Sequence, residues 1–260
     1  MITRTFACLF LIAGLPALAV AETPKVIHVF VALCDNATQG IVPVPAKIGN
    51  GDDPDRNLYW GCDDGMRQVF KRSASWRLVE SKRQPVPATV LERLIFKHRQ
   101  KDVWLVAHAY RGAEMKQMMD DFLQGVSGVA GPEILAREGE REVNLPGSGQ
   151  AHFLAFIGHN GLMDFSAPFP KNQRGDTPVP VTVLCCKSHS YFTQGLRESG
   201  GQPVLMTSQF MYPGSFLLHA LLDGWLAGEK GDALRERATA AYARNQKISL
   251  KSARGVFVTP

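Results

Sequence analysis

Three side chains stand where chemistry is easiest to build: His159, Cys185 and Cys186. His159 lies in Gly158-His159-Asn160-Gly161, directly after the apolar run His152 to Ile157 (HFLAFI). Cys185-Cys186-Lys187-Ser188 directly follows a second apolar run, Val179 to Leu184 (VPVTVL). A third, Lys25 to Leu33 (KVIHVFVAL), ends in Cys34-Asp35-Asn36. In parallel α/β sheets, ligands gather outside the carboxyl ends of the strands. If the first and second of these strands are neighbours in the sheet, the His159 imidazole and the Cys186 thiol emerge at one edge. An imidazole can take a thiol's proton, and the resulting thiolate is the nucleophile. Lys187 and the start of the helix that follows add positive potential beside the sulfur.

The elements that must position these groups are legible as periodic runs. Beside the three strands, Trp76 to Glu80 and Pro203 to Thr207 read as strands. Thr89 to Phe96 and Asp102 to Ala109 flank a polar turn and read as a hairpin. Weaker strand signals lie around Ile134 and Val143. Helices are expected over Cys62 to Arg72, Ala113 to Gln124, Ser190 to Ser199, Ser215 to Ala227 and Leu234 to Asn245. Met115, Met118, Met119 and Phe122 fall at helical spacing and read as core packing. Residues Gln39 to Asn57 are rich in Pro, Gly and Asp and form a long loop. Its Asn50 to Asn57 part lacks the glycine and final glutamate of an EF-hand loop and reads as a solvated turn. Leu162 to Thr177 shows no helix. Strands alternating with helices indicate an α/β fold with a mainly parallel sheet.

The 260 residues are 45% hydrophobic and 20% charged, which excludes collagen, extended disorder and a multi-span membrane protein. A formal charge of +5 comes from dispersed basic residues, so nucleic acid is not indicated. No Walker A or GxGxxG motif supports nucleotide binding, and no H-x-x-x-H or C-x-x-C spacing supports a metal site. Met1 to Ala21 carries Arg4, an apolar stretch and Ala19-Val20-Ala21, the pattern of a signal peptide cleaved after Ala21. The mature chain, 22–260, is then expected in the periplasm or outside the cell, with no membrane association. It keeps Cys34, Cys62, Cys185 and Cys186, and in an oxidising compartment Cys34–Cys62 is the plain disulfide candidate.

The segments FLAFIGHNG and VTVLCCKS resemble the caspase-like fold of clan CD cysteine peptidases. In that family one apolar strand ends in His-Gly, a later one ends in Ala-Cys, and a helix follows. The sequel SYFTQGLRESGGQPVLMTSQFMYPGSFLLHALLDGWLAGE is similar to a CHAT domain. The resemblance covers about Ala151 to Glu229, with Lys25 to Leu33 as a first strand. It implies a three-layer sandwich around a mainly parallel sheet, with a β-rich insertion near 86–150. It makes Cys186 the nucleophile, puts Cys185 in the family's alanine place, and makes His159 the base. Backbone amides near Asn160 and Cys186 would hold the oxyanion. Gly161, Asp35 and Asp164 are the other oxyanion or pocket candidates, and Arg111 also flanks a strand end.

The implied activity is that of an exported cysteine hydrolase, an endopeptidase on peptide or protein substrates that needs no cofactor and no metal. The alternative is a secreted α/β binding or scaffold domain of the same fold without catalysis. The oligomeric state is not encoded in any of these features.

Overall fold

The computed structural model describes residues 24–260; the expected signal peptide lies outside the described residues. The expected first strand forms as β1 (Lys25–Ala32). Every residue of β1 after Lys25 is buried, as a strand covered on both faces requires. A long loop leads to α1 (Met66–Lys71), and then β2 (Trp76–Arg83), β3 (Val90–His98) and β4 (Val103–Tyr110) follow. α2 (Met115–Ser127) precedes a hairpin, β5 (Ile134–Glu138) and β6 (Arg141–Leu145). The second half runs β7 (Phe153–Ile157), β8 (Val179–Leu184), α3 (Ser188–Glu198), β9 (Gly201–Thr207), α4 (Phe216–Leu226) and α5 (Asp232–Gln246). Two short elements close the chain, α6 (Leu250–Arg254) and β10 (Phe257–Val258).

Eight strands form one sheet in the order β10-β9-β8-β7-β1-β4-β3-β2. Pairs from β4 through β1, β7 and β8 to β9 are parallel. The outer pairs β2·β3, β3·β4 and β9·β10 are antiparallel. The protein is therefore α/β with a large mixed central sheet. The segment read as a β-rich insertion divides. β3 and β4 make the expected hairpin, and β4 also lies against β1 in register Lys25↔Val103 to Ala32↔Tyr110. Only β5 and β6 form a separate sheet.

Alternation along the strands sends successive side chains to opposite faces. Ile27, Val29 and Val31 of β1 pack with Phe70 of α1, Leu217, Leu218 and Leu221 of α4, and Leu234 and Ala238 of α5. Phe30 and Ala32 pack on the other face with Met118, Met119 and Phe122 of α2 and Phe192 and Leu196 of α3. Each such fully buried side chain contributes about 1.5–3 kcal/mol of apolar burial. The β5–β6 hairpin covers a third cluster around Val26, Trp104 and Val106. Between β7 and β8 the chain makes one 3-10 turn, Gly161–Met163, and no further helix. Phe165, Ala167 and Phe169 of that connection are half-buried against the second core face. No helix among the described residues is long and apolar enough to cross a membrane.

Candidate active site

β7 and β8 are adjacent and parallel, and their last paired residues are Ile157 and Leu184. Both strands leave the sheet at the same edge, His159 two positions past one pair member and Cys186 two past the other. The exit from β7 is made by Gly158, whose φ of +146° suits glycine, and whose N–H reaches the Leu184 carbonyl at 3.3 Å. The exit from β8 is a tight strand-to-helix turn. Lys187 holds a left-handed φ of +52°, uncommon for a side-chain-bearing residue, and α3 starts at Ser188. Thr207 at the end of β9 clamps this turn. Its hydroxyl donates to the Cys185 carbonyl and accepts from the Ser188 N–H at 3.1 Å, and its own N–H donates to Ser188 Oγ at 2.9 Å.

The two exits are tied to each other by Asn160. Its Nδ2 donates to the Cys186 carbonyl at 2.8 Å, and its Oδ1 accepts from the Leu162 N–H at 3.1 Å, capping the 3-10 turn. The Asn160 side chain is fully buried, so both bonds stand in place of water. The backbone N–H groups of Asn160 and Cys186 donate to no acceptor among the described residues. That is the free state an oxyanion site requires.

His159 is buried, and its Nε2 lies 2.7 Å from Asp164 Oδ2. The same oxygen accepts from the Gly40 N–H at 3.0 Å. Asp164, expected from the sequence as a pocket or oxyanion residue, is thus found on the imidazole. Cys186 is half-buried, with its sulfur bracketed by Met211, whose N–H donates to Sγ at 3.4 Å. His159 and Cys186 share no direct hydrogen bond. Tyr59 and Tyr242 lie near the Cys186 sulfur. Burial is the main cause that pushes the Tyr59 hydroxyl well up, so it stays protonated.

The remaining sequence candidates separate. Cys185 is fully buried in the core with Val183 and Phe192, and burial, with Cys186 beside it, holds its thiol well above the usual range. It packs as a small core apolar residue does. Cys34 and Cys62 are free thiols, so the bridge expected between them is not formed in this structure. Burial pushes the Cys34 thiol up to about 11, and Cys62 Sγ donates to the Arg56 carbonyl at 3.1 Å. Asp35 serves its own turn, accepting from the Ala37 N–H at 3.0 Å and from Thr38 Oγ1 at 2.7 Å. Gly161 opens the 3-10 turn. In the Asn50 to Asn57 turn, Asp52, Asp53 and Asp55 are paired with arginines, and Asp52 takes Arg111. Among the described residues no His, Cys, Asp and Glu side chains gather in a group that could hold a metal ion.

Sequence reasoning missed Thr207, Met211, Gly40 and the side-chain role of Asn160. Asn160 alone carried a signal, an amide immediately after the histidine. Compared with protein-family models, curated proteins and solved structures, the chain has no match.

Proposed function

We propose that the protein is an exported, caspase-like cysteine hydrolase, an endopeptidase that acts through His159 and Cys186. The observation that carries this reading is the pairing of β7 with β8, whose ends are braced by the Asn160–Cys186 hydrogen bond of 2.8 Å. The resemblance supplies the order of motifs; the adjacency of the strands supports it independently. Nε2 of His159 is engaged by Asp164, so Nδ1 is the nitrogen left to act as base. It takes the Cys186 proton as the sulfur attacks the carbonyl carbon of a peptide bond. Charge moves onto the carbonyl oxygen, which the N–H groups of Asn160 and Cys186 receive. The imidazolium then protonates the leaving amine as the carbon–nitrogen bond breaks. Water, losing its proton to the same ring, hydrolyses the thioester and frees the thiol.

The test is turnover of a mixed fluorogenic peptide library by wild type and Cys186→Ala. Loss of the nucleophile should remove at least about a thousand-fold of activity. Equal turnover by the two proteins overturns the assignment. A second reading, a binding or scaffold domain of the same fold, is favoured by the contacts of Met211 on the sulfur. It is distinguished by a native Cys186 that resists iodoacetamide.

A further inference from the structure

We propose that Asp164 is the positioning residue for the His159 ring, and that the loop following β1 holds it there through Gly40. The inference rests on the roles of His159 and Cys186 given above and extends them to a third and a fourth residue. An ionised carboxylate can only accept hydrogen bonds. With Asp164 Oδ2 at 2.7 Å, the neutral ring must therefore carry its proton on Nε2, which leaves the Nδ1 lone pair for the thiol. Asp164 can reach the ring because the 3-10 turn brings residues five apart together. That turn is fixed by the Asn160 cap and by the Asp164 N–H bond to the Gly161 carbonyl at 2.9 Å.

Gly40 closes the arrangement from the opposite side. A Cβ at this position would lie 2.3 Å from Asp164 Oδ1, closer than any real contact. Gly40 is not among the residues of positive φ, so a side chain here would disturb the Asp164 carboxylate and not the backbone conformation. Its neighbour Gln39 is buried and anchors the loop, donating to the Leu33 carbonyl at 2.8 Å and the Gly112 carbonyl at 3.2 Å. The carboxylate thus sits between a ring donor and a donor from a different segment. The loop after β1 therefore supplies one of the two donors that hold the Asp164 carboxylate.

Two variants test this from opposite sides. Asp164→Asn keeps the shape and removes the charge. Gly40→Ala keeps the carboxylate but displaces it, since the colliding atom is the free end of a movable side chain. The readouts are the nitrogen NMR signals of the His159 ring, which report the tautomer, and the iodoacetamide alkylation rate of Cys186 at neutral pH. Wild type should show the Nε2–H form alone. Both variants should show a mixture of tautomers and an alkylation rate lower by about ten-fold or more. Asp164→Glu should recover part of the loss. A folded Asp164→Asn protein with the Nε2–H form alone and wild-type alkylation overturns the proposal, as does a folded Gly40→Ala protein with the same result. The NMR arm needs no substrate, so it tests Asp164 even if Cys186→Ala proves as active as wild type. Conversely, inactivity of Cys186→Ala with unchanged Asp164 variants would leave the nucleophile standing and remove only its third partner.

Discussion

Replacement of Asn160 separates a structural brace from a spectator. The side chain is fully buried and makes two hydrogen bonds, to the Cys186 carbonyl at 2.8 Å and from the Leu162 N–H at 3.1 Å. A buried neutral hydrogen bond contributes about 0.5–1.5 kcal/mol net, and a partner left unpaired costs about 1–3 kcal/mol. Asn160→Ala strands two partners at once, so the expected loss is about 2–6 kcal/mol. Asn160→Asp is the sharper probe. It keeps the oxygen that caps the 3-10 turn and puts a carboxylate oxygen against the Cys186 carbonyl, where the amide donor had been. The turn should survive in Asn160→Asp while the β8 exit is pushed away. The assay is urea unfolding for stability beside the alkylation rate of Cys186. Both substitutions should lower the unfolding midpoint, and both should change the alkylation rate. An Asn160→Ala protein within about 0.5 kcal/mol of wild type would refute the brace, because that is the scale of an uninvolved surface change.

Two further outcomes follow from buried groups elsewhere. His28 of β1 and His108 of β4 stack at 6.2 Å, and burial lowers them to about 4 and about 3 respectively. In the unfolded chain both take up protons below about pH 6.5, while the folded chain keeps them neutral, so stability falls as pH drops through the window from 6.5 towards 4. At pH 5 the pair should cost about 4 kcal/mol relative to pH 7; comparing melting temperatures at these two values, His28→Gln/His108→Gln should lose less than wild type, and an equal loss refutes the linkage. Arg174 donates from Nε to the Val126 carbonyl at 2.8 Å and from a terminal nitrogen to the Gly125 carbonyl at 2.7 Å, capping the carbonyl end of α2 with a cation. Arg174→Ala should lower stability by about 2–3 kcal/mol in urea, and Arg174→Lys, which lacks the fork, should recover less than half.

The strands that carry the site were legible because their apolar runs are short, dense and bounded by turn residues. HFLAFI and VPVTVL became β7 and β8 within a residue or so of the expected limits. The pairing order was not legible. Nothing in VWLVAHAY says that β4 will lie parallel to β1 as well as antiparallel to β3, since that choice is made by burial of both its faces. The partner of His159 was hidden for a different reason. Asp164 reaches the ring only through one turn of 3-10 helix, which no periodic pattern announces over three residues. Thr207 and Gly40 were hidden because their partners lie 22 and 124 residues away in the chain. β10 spans two residues, below the length at which alternation carries any signal.

Asn160 and the irregular connection after it are best understood together. Where the resemblance expects glycine after the histidine, this chain has an asparagine whose side chain is wholly spent within the protein. A crossover helix packed on the sheet would hold the β7 exit in place by burial alone. Here the chain from Phe165 onward only tucks half-buried aromatic rings against the second core face, without a helix to anchor it. The hydrogen bonds of Asn160 and Asp164 replace that anchorage at the one end where position matters, next to Cys186. Glycine at 160 would give a carbonyl oxygen freer approach and would also release the tie between β7 and β8. The asparagine therefore exchanges open space for a direct tie between the β7 and β8 exits.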